Sequence, residues 1–151
     1  MILDRLAQSL ADTPFIARGG FHPGEHDGLR AVADGREIGT VVMIGNAGGA
    51  LWAAFAAAVP EPAGHDPLDD WTKSVLAPIA ADLGAHIVFP SDGPPYAPFQ
   101  RWAMRAEPVA PSPLGVLIHP DYGLWHAYRA AFLFAERLPL PPRVETASPC
   151  E

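Results

Sequence analysis

An α/β sandwich of two or three layers is the fold class this sequence predicts, on three observations. Residues 40–44 and 85–89 are short, largely apolar runs rich in β-branched side chains, as buried strands require. Between and around them lie segments whose apolar residues recur at helical spacing. Strand-like and helix-like segments alternate along the chain, the order expected when helices pack on a sheet.

Each element has a local reason. Residues 2–11 set Ile2, Leu3, Leu6 and Leu10 on one face of a short amphipathic helix. A loop-rich segment should follow, containing Gly19-Gly20 and the turn His22-Pro23-Gly24. The strand at 40–44 leads through Gly45-Asn46-Ala47-Gly48-Gly49 into an alanine-rich helix to about Ala58, which Pro60 ends. Asp66-Pro67 starts another helix, with a capping carboxylate followed by proline at the first helical position. Leu68, Trp71, Val75, Ile79 and Leu83 carry it to Gly84, and Pro78 should kink it by removing a backbone donor. The second strand is 85–89, followed by a proline-rich loop at 90–98, a short helix at 99–106 and a third strand at 114–118. Residues 124–134 fit two patterns. Their alanines favour helix, whereas alternation places Trp125, Ala127, Arg129, Ala131 and Leu133 on one face of a strand, which is the preferred assignment. Leu138-Pro139-Leu140-Pro141-Pro142 is an extended exit, and residues beyond about Val144 should be poorly ordered.

At 151 residues the chain is one domain, long enough to bury a core. Its 18 prolines and 14 glycines, about a fifth of the residues, stay below the level that signals disorder and point to loops of fixed geometry. A net charge of −7 argues against a nucleic-acid surface, which needs clustered Lys and Arg. Lys73 is the only lysine; arginine suits buried or anion-facing roles, and a GC-rich genome produces the same bias. The single cysteine, Cys150, rules out a disulfide framework within the chain. The longest apolar run falls short of 18 residues, and the first segment carries Asp4 and Arg5, so neither a membrane span nor a secretory signal is expected. A cytoplasmic location follows as an expectation.

Chemistry concentrates in residues 118–129, which hold two His, two Tyr, a Trp and an Arg. Such side chains must find polar partners when buried, and large rings with a few convergent donors suit a pocket for a planar cofactor. His119 and His126 could ligate a metal or could be core residues bonded to backbone carbonyls; no third ligand is evident. Arg129, on an otherwise apolar strand, should meet either a protein carboxylate or a polar group of a ligand. The loop and helix at 89–105 deliver Tyr96, Phe99, Gln100, Arg101 and Trp102 to one locality, as a binding wall or as cover for a sheet edge. If these two segments form one site, Phe99, Arg101, Trp102, Trp125 and Arg129 should converge on a common cleft.

Two other motifs are set aside. His22-Pro23-Gly24-Glu25-His26 matches H-x-x-E-H, but proline and glycine prevent the regular helix that would let both histidines share a zinc. Gly45-Asn46-Ala47-Gly48-Gly49 lacks the spacing of dinucleotide and P-loop motifs and is read as a tight turn. A hydrolase is also weakly supported, since no serine sits in a G-x-S-x-G turn.

His119-Pro120, Tyr122-Gly123, Trp125, Ala127 and Arg129 together resemble the H-P-x-[FY]-G-x-W-x-A-x-R signature of the cobalamin-trafficking family that includes the methylmalonic aciduria type C protein. The chain order is also similar to the cobalamin-binding part of epoxyqueuosine reductases, whose domain exits through an L-P-x-P-like segment into a cysteine-rich ferredoxin module. Residues 138–142 followed by Ser148-Pro149-Cys150 resemble that junction. Over Gly20 to Cys150 the chain looks most like bacterial ferredoxin-type proteins that join such a domain to a 4Fe-4S segment.

The resemblance implies an α/β (α+β) nitroreductase-like sandwich over residues 1–142, with a central mixed or antiparallel sheet flanked by helices. It implies a tail at 143–151 that begins an iron–sulfur segment, with Cys150 the first ligand of a cluster present only in a longer form. The 151-residue chain should then be colourless and free of iron. The implied function is a redox-associated domain binding cobalamin or a related corrinoid, with FMN second, at Tyr96, Phe99, Gln100, Arg101, Trp102, His119, Tyr122, Trp125, His126 and Arg129. An electron-transfer partner and a homodimer would accompany it, and the domain could be an oxidoreductase component. Leu124 departs from a glycine common in the signature, which could narrow the pocket, and the acid used by epoxyqueuosine reductases has no matching position. Those departures favour the alternative, a non-catalytic binding or scaffold domain that has the fold without the cofactor.

Overall fold

Continuous apolar runs form strands when both faces of a sheet are covered, and the architecture has that form. The computed structural model describes residues 1–29 and 35–148, so Cys150 lies outside the described residues. The elements are α1 (Ile2–Leu10), β1 (Ile16–Phe21), a 3-10 turn (Glu25–Asp27), β2 (Thr40–Ala47), α2 (Ala50–Ala58), α3 (Pro67–Asp82), β3 (His86–Val88), α4 (Phe99–Ala106), β4 (Ala110–Pro111), β5 (Leu117–Ile118) and β6 (His126–Phe134). The main sheet has the order β1-β2-β6-β3 with every pair antiparallel, and β4 and β5 make a separate antiparallel ribbon. This is a mixed α/β architecture compatible with an α+β class.

The sheet is packed on both sides. Val42, Ile44, Ala130, Phe132 and Phe134 share a core with Leu6 and Leu10 of α1, Leu51 of α2 and Leu76 and Ala80 of α3. On the other side, Val41, Met43, Ala131 and Leu133 meet Trp102 and Ala106 of α4. Strands β2 and β6 therefore run through the middle of three layers, which explains why residues 40–44 show no polar alternation. Among the described residues no helix is long and apolar enough to cross a membrane.

Several sequence expectations need correction. The loop-rich segment after α1 contains a strand, β1, pairing with β2. Its sequence, Ile16-Ala17-Arg18-Gly19-Gly20-Phe21, hides the signal because two glycines and a charge interrupt any apolar period. The pairing register slips between Ala17 and Gly20, and Gly19 has φ 104°, where a side chain is strained. A Cβ there would also lie 2.8 Å from the Ala106 carbonyl, so the glycine lets α4 approach the strand. Strand β2 continues to Ala47, pairing Gly45 with Tyr128, Asn46 with Ala127 and Ala47 with His126, and leaves only Gly48 and Gly49 for the turn. The strand expected at 114–118 shortens to Leu117–Ile118, paired with Ala110–Pro111.

The strand assignment for β6 agrees with the structure, but its simple alternation does not. Ile44 pairs with Ala130 and Gly45 with Tyr128, leaving Arg129 as a bulge. The bulge separates Arg129 from the face of Ala131 and Leu133, which pack with Tyr128 toward α4. Arg129 instead joins Asp69, Thr72 and Lys73 of α3.

Candidate functional site

The turn between β5 and β6 is closed by local chemistry. His119 and Gly123 exchange two backbone hydrogen bonds of 2.9 Å, and Gly123 takes φ 60°, which glycine allows without strain. The Asp121 and Tyr122 N–H groups donate to His119 Nδ1 at 3.0 and 3.2 Å, and the two rings stack with centroids 4.4 Å apart. Nδ1 is thus an acceptor, so the ring proton sits on Nε2, which lies 3.2 Å from Glu107 Oε2.

Beneath the turn lies a buried charge network. Arg18, from β1, donates through Nε to Glu107 Oε1 at 2.8 Å and through Nη2 to Oε2 at 3.0 Å. Nη2 also donates to His126 Nδ1 at 3.1 Å and to the Tyr128 hydroxyl at 3.3 Å. The guanidinium carbon sits 4.5 Å from the Tyr128 ring centroid. His126 Nε2–H donates to the Leu117 carbonyl at 2.9 Å, tying β6 to β5. Burial lowers the His126 pKa; the Leu117 bond works against this, while the Arg18 and His119 charges add to it and Glu107 opposes. Burial, then the Glu107 charge, raises the Tyr128 hydroxyl far above its usual value, so it stays protonated. A buried guanidinium costs several kcal/mol unless it is paired, and Glu107 supplies the pair.

Above this network the apolar side chains of the turn are open to solvent. Trp125 is 80% exposed, Leu124 44% and Tyr122 39%, with Leu114 and Val116 exposed nearby in sequence. The Trp125 carbonyl accepts from Gly48 N–H at 2.8 Å, so the tryptophan backbone is anchored while its ring is free.

The expected single cleft does not form. Trp102 is buried against Phe21 and Phe99, with its indole N–H donating to the Asp27 carbonyl at 2.7 Å. Phe99, Gln100 and Arg101 line a shallow surface hollow of about 430 Å³. Tyr96, largely exposed, borders a groove of about 550 Å³ beside β3. Arg129 opens into a cavity of about 360 Å³ on the α3 side of the sheet. Phe99 and Trp102 touch, and Trp102 and Tyr96 border one groove, but the bulge sends Arg129 to the other face of the sheet, away from them. His119, Tyr122 and His126 are brought together, with Trp125 beside them facing solvent. Each ring nitrogen of His119 and His126 already has a protein partner, so core satisfaction describes them better than metal ligation. Arg129 meets a neutral group: its Nε donates to Asn46 Oδ1 at 2.9 Å, and burial lowers its pKa while the Asp69 charge opposes that. His22 of the discarded zinc-like motif donates to the Leu138 carbonyl at 2.7 Å.

Tyr128 lay within the 118–129 cluster without a role, and Glu107, a candidate partner for Arg101 or Arg105, pairs with Arg18 instead, while Arg105 pairs with Asp27. Arg18 escaped the sequence reading. The only hint was a charge inside β1 flanked by apolar residues. A second buried acid was also missed. Asp27 accepts from Gly24 N–H at 2.6 Å and is paired with Arg105, which lies over the Phe21 ring. Burial alone would raise its pKa, but the Gly24 bond, Arg105 and Arg101 together hold it below the usual carboxylate range. Neither a family model nor a curated protein matches this chain.

Proposed function

We propose that this domain binds a flat, ring-rich cofactor on the aromatic turn at 119–125, a corrinoid first and FMN second, as the redox-associated part of a longer iron–sulfur protein. One observation carries the reading. The rings of Tyr122 and Trp125 are exposed while the backbone that bears them is fixed by a buried, fully bonded network. Rigid aromatic side chains supply contact area at little cost in conformational entropy, which suits stacking against a macrocycle or an isoalloxazine. A corrinoid would lie across this surface, because Trp125 is 80% exposed and lines none of the four cavities of 360–550 Å³ found among the described residues. A 4Fe-4S cluster takes about four thiolates, so the cluster is assigned only to a longer form in which Cys150 is one ligand.

Titrating the chain with hydroxocobalamin and with FMN, and following the visible spectrum, tests the reading. The expected result is a spectral shift, retention through desalting, and loss of both in Trp125→Ala. No shift and no retention with either compound would refute it. The scaffold alternative is favoured by the separation of Arg129 and Trp125 from the Phe99–Trp102 pair. It requires that Trp125→Ala change association with a protein partner or a second copy, measured by light scattering, while neither cofactor binds.

A further inference from the structure

The cavity on the α3 side of the sheet sets two cations, Lys73 and Arg129, against one carboxylate, Asp69. The protein carries 17 acidic and 10 basic side chains, so most cations should find a carboxylate. Lys73 and Arg129 both line this cavity of about 360 Å³, and neither is in an ion pair with a described residue. They come from different elements, Lys73 from α3 and Arg129 from the bulge of β6. The bond from Arg129 Nε to Asn46 Oδ1 fixes the guanidinium plane, and its two terminal nitrogens make no hydrogen bond among the described residues. The Lys73 ammonium lies 5.3 Å from the Phe89 ring centroid, which also borders the cavity. Ser91, on the loop after β3, adds a hydroxyl with no partner among the described residues. The Thr72 hydroxyl is already bonded to the Leu68 carbonyl. Asp69 is the one carboxylate on the wall, so the cavity keeps a net positive charge of one.

We propose that this cavity binds a phosphoryl group, either free phosphate or the phosphate of a monoester. Donors on three separate elements surround the space, an arrangement that a tetrahedral anion with several acceptor oxygens satisfies better than a planar carboxylate. Arginine terminal nitrogens form a fork that matches two phosphate oxygens, and lysine adds a point charge. The inference stands apart from the ring-binding reading, since Tyr122 and Trp125 do not line this cavity.

Calorimetric titration at constant ionic strength tests it, with inorganic phosphate and phenyl phosphate as probes and acetate as the carboxylate control. One saturable site is expected for at least one phosphate probe, with affinity weakened tenfold or more in Lys73→Gln and in Arg129→Gln. Preference for phenyl phosphate would identify a monoester, and equal or better binding of inorganic phosphate would identify the free ion. Because Arg129 also bonds Asn46, its variant is checked for folding by circular dichroism; if it is unfolded, the Lys73 variant decides. Absence of saturable binding by both phosphates would overturn the proposal. So would unchanged affinity in Lys73→Gln, or acetate binding as tightly as phosphate.

Discussion

Replacing Glu107 with glutamine tests whether the aromatic turn is held by the buried ion pair. The Arg18 side chain is 1% exposed and that of Glu107 is 11% exposed, so the lost carboxylate cannot be replaced by bulk water. Arg18 would keep only neutral partners: the Asn46 and Ala127 carbonyls at 3.4 and 3.5 Å, His126 Nδ1 and the Tyr128 hydroxyl. Removing one member of a buried pair costs about 3–5 kcal/mol, because the remaining charge stays desolvated. For a domain of this size each kcal/mol shifts Tm by roughly 2–4 °C, so a fall of roughly 6–20 °C is expected. Thermal and urea unfolding at pH 7, followed by circular dichroism, measure it. A double variant, Arg18→Met with Glu107→Leu, should recover most of the loss, since no charge is then stranded. A loss below about 1 kcal/mol in Glu107→Gln would show that the pair is solvated, and the rigid support inferred for the turn would fall.

Other perturbations follow from the same geometry. His126 has a lowered folded-state pKa, so the unfolded chain binds its proton first. Stability should therefore be complete above about pH 6.5 and fall below it, and His126→Gln should flatten that slope in unfolding midpoints measured from pH 5 to 8. Asp27 has a folded pKa below its unfolded one, so its contribution is present above about pH 4 and lost as pH falls through the folded value. Asp27→Asn should lower stability at pH 7, and the gap to wild type should close in acid; a gap independent of pH would refute the linkage. Gly19→Ala should cost more than about 1 kcal/mol in urea unfolding, because φ is 104° and the added carbon would lie 2.8 Å from the Ala106 carbonyl.

The helices were legible because their signals are local. Leu6 and Leu10 in α1, and Trp102 and Ala106 in α4, place buried residues four apart on one face, the spacing that sequence periodicity detects. Strand β1 was not legible, since its identity depends on pairing with β2 and its interior holds Arg18-Gly19-Gly20. The site divides in the same way. His119, Tyr122 and His126 lie within eight residues of one another, and their crowding marks them. Arg18 and Glu107 are 89 residues apart, and neither position suggests the other as its ion partner until the sheet and α4 bring them together.

Arg129 shows how one extra residue redirects a functional reading. Strict alternation along β6 would place it on the same face as Ala131 and Leu133, toward α4 and the loop that bears Tyr96. The bulge opposite Ile44 and Gly45 turns Tyr128 to that face instead, where its hydroxyl joins Arg18 and Glu107. Arg129 is released to the α3 side and meets Lys73 across a cavity. In the bulged strand it is Tyr128, not Arg129, that reaches the Arg18–Glu107 pair. Arg18, paired with Glu107, and Arg129, beside α3, therefore belong to different environments. One arginine is consumed in holding the aromatic turn, and the terminal nitrogens of the other make no hydrogen bond among the described residues.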